Sequence, residues 1–220
     1  MDPYTPVPPS FFDQNTELIA YQLLNLVLVR ESSEGVTLGR VVECEMYQGP
    51  QDKGAHSFGG TPTPRTQVMY GPFGYAYVYL IYGMYWCLNV VLAEVGVPHA
   101  ILIRALEPLD GLQLMASRHK PTKNGPNLRT LTTGPGKVCR AMDIDRRFYG
   151  HPLWEPPLYL ALPEANWPSY VVARGPRVNI AYAEEAQHFA WRFWVEGNPF
   201  VSNPKGPITS VEPSRRPNFL

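Results

Sequence analysis

Cysteine is scarce in this chain, three in 220 residues, and the three are scattered at Cys44, Cys87 and Cys139. An odd number of distant thiols, with no CxxC and no nearby histidine pair, builds neither a disulfide framework nor a zinc site. They read as buried reduced thiols, and no metal is expected. Net charge is lacking too: 19 basic side chains balance 19 acidic ones, which weighs against a chain that grips phosphates over its whole surface. The start has no basic segment followed by an apolar one and no arginine-rich, acid-poor stretch, so neither a secretory leader nor a transit segment is expected. The expectation is a soluble intracellular protein whose 220 residues form one domain with a substantial core.

Charge is missing altogether from Thr66 to Ala93. A stretch of that length must first be tested as a membrane helix, which needs about 20 apolar residues. Its tyrosines exclude that. Tyr70, Tyr75, Tyr77, Tyr79, Tyr82 and Tyr85 run through the middle, whereas membrane helices gather tyrosine at the two interfaces, and Gly71, Pro72 and Gly74 break the run. What remains is alternation in strand-favouring residues, with Tyr75, Tyr77 and Tyr79 on one face and Ala76, Val78 and Leu80 on the other. The pattern predicts a hairpin turning near Tyr82 and Gly83. A two-residue turn sets Tyr79 opposite Trp86; a three-residue loop, Tyr82-Gly83-Met84, puts Tyr79 on one face with Cys87 and Asn89. In both cases a tyrosine stands where turns usually hold Gly, Asn, Asp or Pro, so something is expected to cover it.

Against the neutral total stands a local surplus. From Ile101 to Gly150 there are nine basic residues (Arg104, Arg118, Lys120, Lys123, Arg129, Lys137, Arg140, Arg146 and Arg147) against four acidic ones (Glu107, Asp110, Asp143 and Asp145). A solvated face explains such a cluster as readily as a binding surface. Upstream, Gly39 to Tyr47 alternates as a strand that points Glu43 and Glu45 to one side and Cys44 to the other. Two such carboxylates are most often solvent-facing. Directly after them runs QGPQDKGAHSFGGTPTPR, too long for a mere connection and carrying His56, a residue that in isolation reads as surface.

Around these lie more ordinary elements. Residues 1–10 hold four prolines and read as a flexible arm. Asn15 or Thr16 caps a helix presenting Leu18, Ile19, Leu23 and Leu26, followed by a strand through Val29. A helix is predicted over Pro108 to Lys120 with Leu109, Leu112 and Met115 inward. Gly134-Pro135-Gly136-Lys137 opens another, whose free N–H groups beside a lysine suit a phosphate or an ordinary capped turn equally. Arg174 to Tyr182 and Phe189 to Ser202 read as strands or their approaches, with Trp191, Phe193 and Trp194 as core. The domain is expected over residues 11–203 and a loose tail over 204–220.

The blocks VVECEMYQGPQDKGAHSFGG, MYGPFGYAYVYLIYGMYWCLNVV, ILIRALEPLDGL and TGPGKVCRAMDID, in order over Val41 to Asp145, resemble the alkyladenine (3-methyladenine) DNA glycosylase family. That resemblance implies a mixed α/β (α+β) single domain with a curved, largely antiparallel sheet, flanking helices and a protruding β-hairpin. It implies a monofunctional enzyme acting with water as nucleophile on double-stranded DNA containing a damaged purine, as a monomer, with no cofactor and no membrane. Glu45 matches the general base, and Arg104 the residue that helps hold the water. Tyr47, His56 and Tyr79 match the pocket for the flipped base, Asn89 its floor, and Tyr82 the intercalating wedge. Gly134, Gly136 and Lys137 match the DNA-backbone motif. The family's E-T-E-A-Y stands here as Glu43, Cys44, Glu45, Met46 and Tyr47; the backbone of Met46 is expected along the base pocket, with its larger side chain reshaping the packing behind it. Two rivals remain: a non-catalytic single-strand binder stacking bases on aromatic rings, and a carbohydrate glycosidase using Glu43 and Glu45.

Overall fold

The computed structural model describes residues 4–24, 26–120, 127–163, 169–203, 206–215 and 217; Lys123 of the basic cluster lies outside them. Its strands are β1 (Val27–Ser32), β2 (Gly35–Gln48), β3 (Ala76–Ile81), β4 (Tyr85–Leu92), β5 (His99–Asp110), β6 (Leu158–Ala161), β7 (Val171–Gly175), β8 (Arg192–Val195) and β9 (Ser210–Pro213). They form one open sheet in the order β3-β4-β5-β2-β8-β7-β9, with β1 on β2 and β6 on β1, and every pairing is antiparallel. The helices are α1 (Thr16–Leu23), α2 (Leu112–Ser117) and α3 (Pro135–Ala141). This is the expected α+β architecture.

β2 is the axis of the sheet. Its first half pairs with β1 and its second half with β8, while β5 runs along its other side. Val41, Cys44 and Met46 face the main core, with α1 laid across them; the Cys44 thiol donates to Ala20 O at 3.4 Å. α1 starts where Asn15 accepts the N–H groups of Glu17 and Leu18, satisfying two orphan donors of the first turn. Ile19 and Leu23 are buried as expected, and Leu18 is half-buried.

Several expected boundaries move. The helix predicted from Pro108 begins at Leu112, because β5 keeps its ladder with β2 through Asp110, leaving Leu109 exposed. Gly111 makes the break at φ 74°, where a Cβ would lie 2.5 Å from Val36 O, so only glycine fits. The segment 176–190 is loop and a 3-10 turn rather than strand. Within the expected arm, Val7 is buried, its N–H donates to Leu160 O, and Pro6 bridges to Ala161; apolar contact with β6 overrides the proline content. Within the expected tail, residues 210–213 add β9 to the edge of β7.

The hairpin β3–β4 takes the three-residue loop. Ile81 pairs with Tyr85, Tyr79 with Cys87 and Tyr77 with Asn89, and both Tyr82 and Gly83 have positive φ. Nothing in the described chain covers the tip: Tyr82 is 73% and Met84 65% exposed. Among the described residues no helix is long and apolar enough to cross a membrane.

Candidate active site

β2 and β5 carry the charged centre, and their register explains how. Val41 faces Leu106 and Glu43 faces Ala105, so Val42 is an extra residue on β2; Cys44 then faces Ile103, so Arg104 is an extra residue on β5. Such bulges re-aim the side chains they carry. Arg104 Nε donates to Glu43 Oε1 at 2.8 Å and its Nη1 to Glu45 Oε2 at 3.2 Å. Glu107, further along β5, pairs instead with Arg40.

The two carboxylates differ in what surrounds them. Glu43 is saturated, accepting from Arg104 Nε, from Arg192 Nε at 2.8 Å and from both the N–H and the hydroxyl of Ser202 at 2.7 and 2.9 Å. Glu45 takes the Val178 N–H on Oε1 at 2.7 Å, and the Tyr47 hydroxyl on Oε2 at 2.8 Å beside Arg104. Both are fully buried rather than solvent-facing. Two carboxylates and two guanidiniums make the cluster neutral in sum, which is what permits its burial. Desolvation opposes the charge of Arg104, but Glu45 and then Glu43 outweigh it and raise its pKa.

Next to this cluster opens a cavity of about 390 Å³, in the range of small-ligand sites. Tyr47, Arg104 and Val178, the three partners of Glu45, line it; Glu45 lies one layer behind them. Much of the remaining lining is aromatic. His56 and Tyr79 meet edge to face at 4.5 Å between ring centroids, Tyr77 and Tyr79 lie 5.2 Å apart, and the Tyr77 hydroxyl is 3.0 Å from His56 Nδ1. Asn89, buried on β4, also lines the cavity and donates Nδ2 to Tyr77 O at 3.0 Å. At the mouth stand Tyr82 and Tyr85 of the hairpin and, across from them on the loop after β7, the exposed Tyr182.

The aromatic hydroxyls, the imidazole and the thiol around the cavity are held neutral. Burial, then the Glu45 charge, pushes the Tyr47 hydroxyl well above its usual range, and burial likewise raises Tyr79. His56 stays exposed at the mouth, yet desolvation of its ring, followed by the charge of Arg65, lowers its pKa to about 4. Burial raises the Cys87 thiol to about 11. No group of His, Cys, Asp and Glu among the described residues could hold a metal.

Met46 does not join this site. Strand alternation turns its side chain into the core behind the sheet, where its larger bulk was expected, and its carbonyl accepts Arg177 Nη1 at 3.0 Å, while Met46 itself is not among the residues lining the cavity. The Gly134–Lys137 motif begins α3 under the hairpin. Pro135 and Gly136 line the cavity, and a Cβ on Gly136 would sit 2.8 Å from Tyr85 Cβ, so glycine permits the close approach. Lys137 is exposed. Val178, Tyr77 and Tyr182 are lining residues that sequence patterns did not single out. Val178 acts through its backbone N–H, which leaves no side-chain signature, and Tyr77 reads as one ring of the alternating run.

Known proteins are similar in sequence to this chain over most of its length. The methylpurine-DNA glycosylase family matches residues 10–199. Proteins of Bacillus cereus strain AH820 and Bacillus anthracis strain CDC 684, each provisionally named a 3-methyladenine DNA glycosylase, are 48% identical to it over 200 residues, 89% of this chain and 98% of theirs. With its family signature spanning sheet, hairpin and charged centre alike, the chain belongs to the methylpurine-DNA glycosylases, hydrolases of DNA repair.

Proposed function

We propose that this glycosylase is monofunctional and works in base excision repair as a monomer, flipping alkylated or deaminated purines out of duplex DNA. Its substrates are of the 3-methyladenine, 7-methylguanine, hypoxanthine and ethenoadenine class. The observation that carries the reading is Glu45: a buried carboxylate whose three hydrogen-bond donors form the wall of an aromatic cavity beneath an exposed aromatic hairpin tip. A base inside a duplex is out of reach, so the nucleotide must be extruded. Tyr82 fills the vacated step as a wedge. The base enters between Tyr47 on one side and His56 and Tyr79 on the other; an electron-poor, often cationic purine is well held by such faces. Asn89 at the floor crowds a 2-amino group and so disfavours normal guanine.

Glu45 takes a proton from water at the Arg104–Val178 wall. The C–N bond breaks with its electron pair leaving on the purine; the still-ionised carboxylate offsets the positive charge growing on the sugar, and it takes the proton as the water oxygen bonds to the anomeric carbon. Gly134, Gly136 and Lys137 receive the phosphate backbone, and the enzyme works wherever the DNA is held. The carbohydrate-glycosidase alternative loses its second carboxylate, since Glu43 is occupied by Arg104, Arg192 and Ser202. The test is incubation with duplexes carrying each lesion beside an undamaged control. Release of free base and formation of abasic sites are expected; binding without release would leave the single-strand binder as the better reading.

A further inference from the structure

Asp52 and Arg177 lie outside every role assigned above. Both side chains are fully buried, and they meet through both oxygens and both terminal nitrogens at 2.6 and 2.7 Å. The guanidinium also donates to Met46 O at 3.0 Å and Ala186 O at 3.2 Å. Asp52 accepts the N–H groups of Gln48 at 3.2 Å and Gly54 at 2.9 Å. One fork therefore ties together the end of β2, the loop carrying Gly54 and His56, and the segment after β7. Its flat faces are used as well, lying 4.5 Å from the Tyr47 ring centroid and 5.0 Å from that of Trp191. The next residue, Val178, gives its N–H to Glu45.

Stability alone does not account for this pair. Taking two charges out of water largely cancels their attraction, and apolar residues of similar volume often hold a fold at least as well. What the ion pair supplies is direction, because a planar fork fixes the angles among all its acceptors. We infer that Asp52 and Arg177 are positioning residues for base excision. They set the separation between the walls that receive the base, Tyr47 and the Gly54–His56 loop, and the Val178 N–H that holds Glu45. The inference rests on the glycosylase reading above, and misplacement of about 1 Å at a reacting centre can lower a rate about 10²-fold.

The test compares the wild type with Asp52→Leu/Arg177→Met and with Arg177→Lys on one hypoxanthine-containing duplex. Three quantities are read: the single-turnover rate at saturating enzyme, the half-saturating concentration and the thermal midpoint. For the double variant the expectation is a midpoint within about 5 °C of wild type, half-saturation within about threefold, and a rate lower by about 10²-fold or more. For Arg177→Lys, which keeps the charge and loses the fork, a rate about tenfold lower at unchanged half-saturation is expected. A folded double variant that excises within about threefold of wild type overturns the inference. If the double variant does not fold, Arg177→Lys decides, and a rate within about threefold of wild type overturns it equally. A wild type that releases no base from any lesion duplex removes the glycosylase reading and the inference with it, a failure seen before any variant is made.

Discussion

Glu45→Gln keeps the shape of the side chain and removes its charge, so its consequences can be worked out donor by donor. Glu45 Oε1 receives the Val178 N–H at 2.7 Å, and Oε2 receives the Tyr47 hydroxyl at 2.8 Å and Arg104 at 3.2 Å. A glutamine has one acceptor oxygen. With it turned to Val178, its NH₂ faces the other two; the Tyr47 hydroxyl rotates to accept, but the Arg104 N–H stays opposed to a donor. One unsatisfied buried donor costs about 1 to 3 kcal/mol, or roughly 2 to 12 °C in thermal midpoint at about 2 to 4 °C per kcal/mol for a domain of this size. The cluster also gains an uncompensated positive charge, since Arg104 and Arg192 are left with Glu43 alone. Loss of the base that deprotonates water is larger, about 10² to 10⁴-fold or more in rate, equivalent to about 3 kcal/mol or more of barrier. Lesion binding should persist, because Tyr82 and the aromatic wall are untouched. The assay is single-turnover release of free base well below the midpoint, with affinity titrated on the same duplex. A variant that excises within a few-fold of wild type would refute the assignment of Glu45.

The wedge is tested by Tyr82→Ala, expected to weaken flipping by about 1 to 3 kcal/mol; a 2-aminopurine reporter beside the lesion that unstacks as fully as with wild type contradicts it. Asn89→Ala or Asn89→Ser should raise excision of guanine-type bases relative to hypoxanthine by about 1 to 3 kcal/mol, and an unchanged ratio in a folded, active variant returns Asn89 to a structural role, tying Tyr77 O. Acid should weaken the fold through His56. Its folded pKa of about 4 lies below its ordinary 6.5, so the unfolded chain binds the proton first, and stability present above pH 6.5 is lost progressively down to pH 4. Burial displaces His99 and His119 in the same direction. His56→Gln should therefore make the fall in thermal midpoint over that interval shallower, and identical slopes would show that His56 does not contribute.

What could be read from the sequence followed periodicity. The alternation of Gly39 to Tyr47 gave the shared face of Glu43 and Glu45, and the tyrosine run gave the hairpin. The loop length did not follow, because two- and three-residue connections are both compatible with alternating apolar residues. Alternation also carried the information that the Met46 side chain packs behind the pocket, in the core. The bulge that makes Arg104 an extra residue on β5 leaves no trace in a pattern of types, since it arises from how two strands fit each other. Nor does the Asp52–Arg177 pair, whose members are 125 positions apart. The first and last segments misled for a different reason: prolines and polar residues suggest looseness, but Val7 and β9 are fixed by neighbours that only the folded sheet supplies.

The pleat of β2 also divides the strand between two kinds of demand. Residues of one parity, Glu43, Glu45 and Tyr47, meet the charged centre, and those of the other, Cys44 and Met46, meet α1 and the core. Both departures from E-T-E-A-Y fall on the second set. Substitution can therefore accumulate on the packing side of this strand while the reacting side keeps its chemistry. Tuning the enzyme through Cys44 or Met46 would act only by tilting the strand as a whole, shifting every facing residue together and altering rates without redrawing which bases are admitted.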